Sequence, residues 1–331
     1  MRVVLHYAAA AVAALSHYAA ATVAALWMST ACAQYPAKPV HMIIPFPAGA
    51  VSDNIARILG NQLAVQLGQP VVVENRAGAD GAIAAEAVIK SAPDGYTLFL
   101  ATNGPIIHVP LQRKNPPYDP LTAFTPVSLL GRFTFMLFAN PELPAKSVQE
   151  LVEHARANPG RLNAGAGNLG GVLLAAQFAK VTGTKIVTVP YKGEAPALPD
   201  LVAGRVHFMF YATVAPALSL AKEGRLRPLA TVLAQRSPLA PDVPTIAEAG
   251  YPGVTPMGWA GMYGPAAMPP DVTARLSGAI AEALRRADVR DALGQQAFEA
   301  GASTPQELAA KIRADLIETK ALLQDAGIEP Q

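Results

Sequence analysis

Short apolar segments and segments with helical periodicity alternate along the first third of the chain. The first apolar segment, Val40 to Ile44, is β-prone and ends in a loop that contains Gly49. From residue 55 to residue 67 the apolar positions keep helical spacing, and Gly68 ends the segment. The order strand, loop, helix, strand, helix, strand is predicted over residues 40–44, 45–53, 55–67, 70–74, 81–90 and 96–100. Strands that alternate with helices indicate a parallel sheet.

The same alternation resumes after a proline-rich break, Pro116 to Pro120. The apolar run Phe133 to Phe138 is predicted to begin a second lobe, and Ser147 with Glu150 forms a capping box that opens a helix to about residue 158. Further strands are predicted over 162–164, 186–189, 206–210 and 226–232, with helices between them. Helices are predicted for the tail over 271–287, over 289–298 and after a second capping box at 304–307.

The length and composition of the chain narrow the possible architectures. The 331 residues exceed the roughly 250 to 300 at which a single core stops growing, so two α/β lobes are expected. Charged residues make up 15% of the chain, hydrophobic residues 51%, and the formal net charge is +2. These values exclude a disordered chain and a polybasic arm, and no nucleic-acid partner is expected.

The N-terminal segment, residues 1–33, has the features of a secretory signal peptide. No charged side chain occurs from Val3 to Ala37, and the stretch includes Ala31-Cys32-Ala33, an A-x-A cleavage pattern. Cleavage after Ala33 predicts an exported protein that begins at Gln34. Two alternatives stay open: an uncleaved membrane anchor, because the apolar run approaches about 20 residues, and lipid attachment at Cys32.

Few residue patterns indicate catalysis or metal binding. Cys32 is the only cysteine, so no intrachain disulfide and no four-cysteine metal site can form. The remaining histidines after the signal segment lack metal-ligand spacing, and neither G-x-S-x-G nor H-E-x-x-H occurs. We therefore expect no metal, no cofactor and no enzymatic activity. A hydrolase whose catalytic groups meet only in space stays an alternative.

Two glycine-containing loops precede predicted helices and suit anion binding. Gly165 to Gly170 matches G-x-G-x-x-G, but the next strand does not end in the acidic residue that a dinucleotide site requires. In the loop Phe46 to Asp53, Gly49 allows close approach of the backbone and Ser52 supplies a hydroxyl. Backbone N–H groups at a helix N-terminus attract an anion. A simple helix cap at Ser52 or Asp53 is the alternative interpretation.

Ordered sequence blocks closely resemble the Bug family, the periplasmic solute-binding receptors of tripartite tricarboxylate transporters. Two of the blocks are Gly68 to Arg76, GQPVVVENR, and Asp242 to Gly250, DVPTIAEAG; the others are residues 38–40, 45–46, 52–57, 92–97, 144–147 and 189–193. The resemblance implies a two-lobed α/β periplasmic binding protein of type II, or Venus-flytrap form, with a mostly parallel sheet flanked by helices in each lobe. Residues 34–136 and 262–331 are then expected to form lobe 1, and residues 137–261 lobe 2.

The resemblance also implies a binding site for a small carboxylate between the lobes. One carboxylate is expected at the first strand-helix loop, held by backbone groups and ordered water at Phe46, Ala48, Gly49, Ala50 and Ser52. Further ligand-binding residues match the other contact regions of the family: Thr102, Asn103, Ala166, Gly167, Asn168, Gly170, Pro190, Tyr191 and Tyr211. Helix N-termini from two lobes can neutralise an anion without a buried lysine or arginine.

Three positions depart from the family pattern. Ala50 and Val51 follow Gly49 where consecutive glycines are usual. Leu169 and its neighbours replace residues with hydroxyl groups, which predicts a less polar ligand such as an aromatic or branched acid. Tyr211 stands where an aspartate is usual, and the loss of this partner for an ammonium group predicts weak binding of amino acids.

The expected function is capture of a small organic acid by a monomeric receptor that delivers it to membrane transporter subunits. A receptor that reports the acid to a sensor kinase is the first alternative, and an exported enzyme that acts on a small acid is the second. If the lobes close about a hinge, the crossing segments are expected near Phe135 to Asn140 and Trp259 to Gly264. Both segments are alternatively interpreted as ordinary core strands.

Overall fold

The computed structural model describes residues 35–212, 214–255, 258–325 and 327–330. The predicted signal peptide, residues 1–33, and its cleavage site lie outside the described residues. Pro39 to Gln331 form one unit, which contains both sheets. No helix within the described ranges is long and apolar enough to cross a membrane.

The described residues form strands and helices that alternate along much of the chain. The strands are β1 (Val40–Ile44), β2 (Val71–Asn75), β3 (Thr97–Thr102), β4 (Phe124–Phe133), β5 (Met136–Ala139), β6 (Leu162–Ala166), β7 (Ile186–Pro190), β8 (Phe208–Tyr211), β9 (Arg227–Thr231), β10 (Trp259–Pro265) and β11 (Phe298–Ala300). The α-helices are α1 (Val51–Leu67), α2 (Ala82–Ile89), α3 (Val109–Gln112), α4 (Val148–Ala157), α5 (Leu169–Thr182), α6 (Glu194–Val202), α7 (Val214–Lys222), α8 (Pro270–Arg285), α9 (Ala287–Gly294) and α10 (Pro305–Asp325). A 3-10 turn at Ala79–Gly81 precedes α2, and a π-helical turn at Gly104–His108 precedes α3.

Two sheets form the centres of the two lobes, which confirms the predicted two-lobed α/β fold. The first sheet has the order β11-β4-β10-β3-β1-β2 and the second the order β7-β6-β8-β5-β9. The sequence predicts mostly parallel sheets, and both sheets are instead mixed. Only β1 with β2, β1 with β3, β6 with β7 and β6 with β8 pair in parallel among the named strands. The antiparallel pairs arise because β5 and β10 follow the segments that cross between the sheets and enter in the opposite direction.

Several elements differ from the predicted ones. Strand β4 is absent from the sequence prediction, because its apolar positions do not keep a simple alternation. The predicted helix over 289–298 ends instead at Gly294, and Phe298 lies in β11. The segments expected to be hinges lie largely in β5 and β10, so the interpretation as core strands fits their pairing. The lobe boundaries stay a prediction, although β10 belongs to the first sheet from Trp259, before the predicted return at 262.

The helix ends follow the predicted capping chemistry. The Oγ of Ser147 accepts the N–H of Glu150 at 3.1 Å, which satisfies one of the unpaired donors in the first turn of α4. At α10 the exchange is reciprocal: Glu307 N donates to Thr304 Oγ1 at 3.2 Å, and Thr304 N donates to Glu307 Oε2 at 2.8 Å. Both predicted capping boxes therefore mark real helix starts.

Each sheet buries aromatic side chains against its helices. In the first lobe, Phe99, Phe124 and Tyr263 pack together with Leu308 and Ile312 of α10. In the second lobe, Phe178 of α5 packs edge-to-face against Phe208 and Phe210 of β8. These rings contribute stability beyond the area that they bury.

The C-terminal helix α10 also connects the two lobes. Its residues Leu322 and Leu323 form a buried cluster with Leu173 of α5. Gln177 of α5 exchanges two hydrogen bonds with Thr255 in the segment that returns to the first sheet, at 3.0 and 2.9 Å. Helix α5 of the second lobe is thus joined to α10 by apolar contacts and to the segment that returns to the first sheet by hydrogen bonds.

Candidate functional site

The carboxyl ends of the parallel strands lie at one edge of each sheet, and these two edges adjoin. Strand β4 ends at Phe133 on the edge where β3 ends, because both strands pair antiparallel with the same strand, β10. Strand β5 begins at Met136, opposite Tyr211 at the carboxyl end of β8. Only Thr134 and Phe135 separate the two strands, so the edges that carry the predicted site residues meet at this crossing. Ligands of open α/β sheets bind at such strand ends.

The loop between β1 and α1, residues 45–50 and here called the β1 loop, is fixed by the carboxylate of Asp53. Asp53 Oδ2 accepts the N–H of Gly49 at 2.9 Å, and Asp53 Oδ1 accepts from Nδ2 of Asn75 at 3.0 Å. Asn75 Nδ2 also donates to the carbonyl oxygen of Phe46 at 3.0 Å. Gly49 has a φ of +83°, a conformation that side chains rarely adopt. The chain therefore folds back on Asp53 and holds the loop in one shape.

The Asp53 side chain is a buried anion balanced by a cation on its own helix. Asp53 is 2% exposed, and Arg57 contacts both of its carboxylate oxygens at 3.0 Å. The hydrogen bond from Arg57 is the largest cause that lowers the pKa of Asp53, and the Gly49 and Asn75 hydrogen bonds act in the same direction against burial. Asp53 is therefore a structural carboxylate. The interpretation of Ser52 or Asp53 as the helix cap is wrong, because α1 begins at Val51, Ala50 takes the N-cap position without a side-chain cap, and both residues lie in the first turn.

The segment after β3 lies beside the β1 loop. A Cβ at Gly81 would meet Cβ of Pro45 at 2.9 Å and Cβ of Pro105 at 3.1 Å, so both segments pack against this glycine. Thr102, which is largely buried, accepts the N–H of Gly104 on its Oγ1 at 3.3 Å. The structure thus brings the predicted residues at the ends of β1 and β3 to one place.

Asn103 lines a polar recess that is formed mainly by the segment after β3 and by α10. Its Nδ2 donates to Nε2 of His108 at 3.0 Å, which requires an unprotonated Nε2. Burial lowers the pKa of His108 to about 4. The wall of the recess is formed by Asn103, Ile107, His108, Thr255, Asp315, Glu318 and Thr319. Two carboxylates in this wall make the recess unsuited to hold an anion.

In the second lobe, the residues after β6 converge with Glu194, the first residue of α6. A Cβ at Gly167 would lie 2.5 Å from N and Cα of Glu194, so only glycine permits this approach. Asn168 caps α5 by accepting the N–H of Gly171 on Oδ1 at 2.9 Å. Asn168 Nδ2 and the N–H of Ala212 both donate to Glu194 Oε1, each at 3.0 Å. Ends of three neighbouring strands meet at this carboxylate.

Tyr191 and Tyr211 take different positions at the same edge. Tyr191 N donates to the carbonyl oxygen of Ala166 at 2.8 Å, and its hydroxyl donates to Asp200 at 2.7 Å. Tyr211 is 3% exposed and packs edge-to-face on Phe138 in the core of the second lobe. Burial, and secondarily the charge of Glu194, raises the pKa of Tyr211 to about 12. Tyr211 is thus mainly a core residue of the second lobe, and it lies at the end of β8, where the predicted site begins.

The predicted site residues fall into two groups, one in each lobe. The first group follows β1 and β3, and its members are Phe46, Ala48, Gly49, Ala50, Ser52, Thr102 and Asn103. The second group follows β6, β7 and β8, and its members are Ala166, Gly167, Asn168, Gly170, Pro190, Tyr191 and Tyr211. The role of both groups in ligand binding stays a prediction. Within the described ranges, no three or more His, Cys, Asp or Glu side chains are placed to hold a metal ion.

Sequence reasoning did not single out the two residues that organise these groups most directly. Asn75 ends β2 and ties the β1 loop to the neighbouring strand. Glu194 lies directly after the sequence block 189–193, outside the residues that carry the family resemblance. The sequence does contain an indication of the role of Glu194. It is an acidic residue in the first turn of a helix, directly after Gly193, where its side chain can reach the neighbouring loops.

Leu169 has a structural role that explains its departure from the family pattern. Its side chain packs against the cluster of Leu173, Leu322 and Leu323, together with Leu111 of α3. An apolar residue at this position therefore joins the first turn of α5 to the first lobe. The apolar character of Leu169 need not reflect the polarity of a ligand.

Comparisons with known proteins agree on one family. Residues 55–328 match the family model described as tripartite tricarboxylate transporter family receptor. Protein BugT of Bordetella pertussis is 36% identical over 296 residues, which cover 88% of this chain and 90% of BugT. The structure of Rpa4515 from R. palustris with adipate is 35% identical, with a TM-score of 0.74 and coverage of 90% of this chain and 100% of that one. MatC from Rhodopseudomonas palustris with bound malate is 30% identical, with a TM-score of 0.68 and coverage of 87% and 100%.

Proposed function

The chain belongs to the tripartite tricarboxylate transporter family of receptors, and from this membership we propose that it is a periplasmic protein that captures a small organic acid between its lobes for a membrane transporter. The single observation that carries the proposal is the family match over residues 55–328. Two relatives at 30% identity or more were solved with adipate and with malate, both of which are carboxylates. A carboxylate is therefore the proposed ligand class.

The geometry at the strand ends supports the same ligand class. Helices α1 and α5 begin at the adjoining edges of the two sheets, after the β1 loop and after Asn168. The N-terminus of each helix carries a partial positive charge and N–H groups without helical partners. The two groups of predicted residues would enclose one acid, with its carboxylate at the first group, at the β1 loop, and the rest of the molecule at the second group, at the end of β6.

Asp53 has a supporting part in this proposal. Because Asp53 and Asn75 fix the β1 loop, its remaining N–H groups are held in position before the ligand arrives. Preorganised donors lose less conformational entropy on binding. The carboxylate of Asp53 is balanced by Arg57, so that it does not repel an incoming anion as an isolated charge would.

The proposal includes binding without turnover, export and action as a monomer. The family is one of receptors, and the groups at the strand ends are mainly backbone N–H groups and amide side chains, which suit holding an acid. Export would follow from removal of residues 1–33, after which the chain begins at Gln34. Delivery to transporter subunits in the membrane is the proposed next step.

The test is a ligand titration of the exported protein after removal of carried-over ligand by unfolding and refolding. Isothermal titration calorimetry with mono-, di-, tri- and aromatic carboxylates is expected to give saturable binding of at least one acid, with neutral and amino-acid controls inactive. The amount of acid is expected to stay constant over hours. Consumption of the acid would show that the protein is an enzyme and would refute the receptor proposal. An absence of binding to every acid would refute the proposed ligand class. Mass spectrometry of the exported protein gives its N-terminus and tests the cleavage site.

A further inference from the structure

We propose that Glu194 sets the ligand specificity of the second lobe, by engaging donors that a second ligand carboxylate would use. The receptor then prefers monocarboxylic acids to dicarboxylic acids of the same length. This inference rests on the proposed function, because it concerns the same cleft. It sets this chain apart from the relative solved with adipate, an acid that has a carboxylate at both ends.

The first support is the position of the Glu194 carboxylate. Its Oε1 accepts from Asn168 Nδ2, which follows β6, and from Ala212 N, which follows β8, each at 3.0 Å. Both donors lie at the edge of the second sheet where the predicted binding residues are placed. A carboxylate of the protein thus already lies at the strand ends of the second lobe.

The second support is the number of hydrogen atoms that these donors can offer. The N–H of Ala212 has one hydrogen, and Glu194 engages it. Asn168 gives its Oδ1 to Gly171 and one of its two amide hydrogens to Glu194. A ligand carboxylate at this place must therefore displace Glu194 or bind beside it. Two like charges in a cleft that excludes water repel each other more than in bulk water.

The third support is that Glu194 has little freedom to move away. Its backbone N and Cα pack on Gly167 so closely that a Cβ there would be 2.5 Å from both atoms. Its charge also acts on a buried neighbour, because it contributes to the raised pKa of Tyr211. The backbone of Glu194 is therefore fixed beside Gly167, and its carboxylate is held there by the hydrogen bonds from Asn168 and Ala212.

The chemistry of Glu194 also indicates what the far end of the ligand should be. A carboxylate accepts hydrogen bonds and donates none. A hydroxyl or amide group at the far end of the acid can donate to the Glu194 oxygens without adding negative charge. The preferred class is therefore a monocarboxylic acid with a hydrogen-bond donor at the opposite end.

The experiment compares three acids of equal chain length on the exported protein: adipate, its monoamide and the ω-hydroxy monocarboxylate. Calorimetry of the wild-type protein is expected to show both monocarboxylates binding at least about tenfold more tightly than adipate. In Glu194→Gln the charge is removed and an amide donor is introduced. The preference for the monocarboxylates is expected to shrink by about tenfold or to reverse.

A matched control is Glu142→Gln in the same lobe. Glu142 is exposed and follows β5, whose last residue Ala139 pairs with the first residue of β8. It therefore lies near the sheet edge opposite the site, and its substitution is expected to leave the ratio of affinities within about twofold. Circular dichroism and unfolding midpoints of both variants verify that they are folded.

The outcomes separate this inference from the proposed function. Equal or tighter binding of adipate by the wild-type protein overturns the Glu194 inference and leaves the receptor proposal intact. The Glu194 inference is likewise overturned if Glu194→Gln and Glu142→Gln keep the same preference as the wild type. Failure of all three acids together with the wider set of carboxylates overturns both.

Discussion

Each lobe has one carboxylate at its half of the site, and the two carboxylates are held in different ways. Asp53 is buried, and its partners come from its own loop, its own helix and the end of the adjacent strand. Glu194 is half-buried and reaches donors that follow two other strands. Asp53 is balanced by a guanidinium, and Glu194 accepts hydrogen bonds from a side-chain amide and a backbone N–H.

This difference teaches that the same type of residue can support an anion site or restrict it. Because Asp53 is neutralised locally, it fixes the shape of a loop and leaves other N–H groups available for a ligand. Because Glu194 engages the amide of Asn168 and the N–H of Ala212, it uses donors at the place where a ligand would need them. The two lobes should therefore respond differently when these contacts are removed.

The largest expected effect is that of Asp53→Ala in the first lobe. Gly49, Arg57 and Asn75 lose a buried acceptor, so the free energy of unfolding at pH 7 should fall by about 3 kcal/mol. Carboxylate binding should weaken by at least about tenfold, because the β1 loop loses its fixed shape. Urea unfolding and calorimetry measure both effects. The matched control is Glu86→Ala, whose exposed pair with Lys90 has a distance of 3.4 Å and should contribute at most about 0.5 kcal/mol.

The pKa of Asp53 adds a pH dependence to this prediction. Its pKa is lowered in the folded protein, so its contribution to stability is present above the pKa of the unfolded chain and is lost as the pH falls through the folded pKa. The acid limb of the stability curve should therefore be flatter in Asp53→Ala than in the wild type. Parallel acid limbs in the two proteins would contradict the role of Asp53 as a native-state anion.

The next largest effect is expected from Gly167→Ala in the second lobe. A new Cβ would meet the backbone of Glu194 at 2.5 Å, so α6 must shift, at a cost of about 2 kcal/mol. The shift should also relax the discrimination between adipate and its monoamide. Gly278→Ala is the matched control, because nothing lies within 4 Å of a Cβ in the middle of α8. This control should be stabilising by up to about 1 kcal/mol, and equal losses in the two variants would refute the close-approach argument.

A smaller, pH-dependent effect on stability is expected from His108 in the first lobe. Its pKa of about 4 is below the usual 6.5, so the unfolded chain takes up a proton that the folded protein excludes. The free energy of unfolding should fall as the pH decreases from about 6.5 toward 4. The expected loss is about 1 to 2 kcal/mol, because solvent in the open recess screens the charge and reduces the full effect of the pKa difference. Protonation also removes the acceptor for Asn103. His108→Gln should lack this part of the pH profile in urea unfolding, and an unchanged profile would contradict it.

The smallest effect is expected for an exposed ion pair between α5 and α10. Lys180 and Asp325 form an ion pair at 2.7 Å, but both side chains are more than half exposed, so Lys180→Ala should cost at most about 0.5 kcal/mol. Gln177, on the same helix, is 6% exposed and bonds to Thr255, so Gln177→Ala should cost about 1 to 2 kcal/mol. Thermal unfolding of the two variants ranks them. The reverse order would indicate that the ion pair of Lys180 contributes more to stability than the hydrogen bonds of Gln177.

Much of the fold could be predicted because its signals are local. The run from Val40 to Ile44 predicts β1 with its observed bounds, and the capping boxes at Ser147 and Thr304 predict the starts of α4 and α10. The family resemblance, which the comparisons confirm, rests on blocks in the same local segments. Residues close in sequence carry the information that such patterns use.

The remaining features depend on contacts between distant residues. The antiparallel pairing of β4 with β10 joins two segments that are far apart in the sequence, and no periodic pattern of residues indicates that they pair. The sequence suggests a ligand-related role for Leu169, whereas its neighbours Leu322 and Leu323 come from the C-terminal helix. Glu194 meets Asn168 only because α6 starts beside the end of β6. Tertiary pairing decides these positions, and a single sequence does not record it.

The strand order also determines when each lobe can be completed as the chain emerges with its N-terminus first. All five strands of the second sheet come from residues 136–231, so this sheet can assemble as one continuous segment. In the first sheet β10 separates β4 from β3, and β10 begins only at Trp259. Until it emerges, the first sheet exists as two fragments with unpaired strand edges, which favour association with other chains. The lobe that begins the body of the chain is therefore the last to finish folding, and it is the lobe that most needs protection on the way.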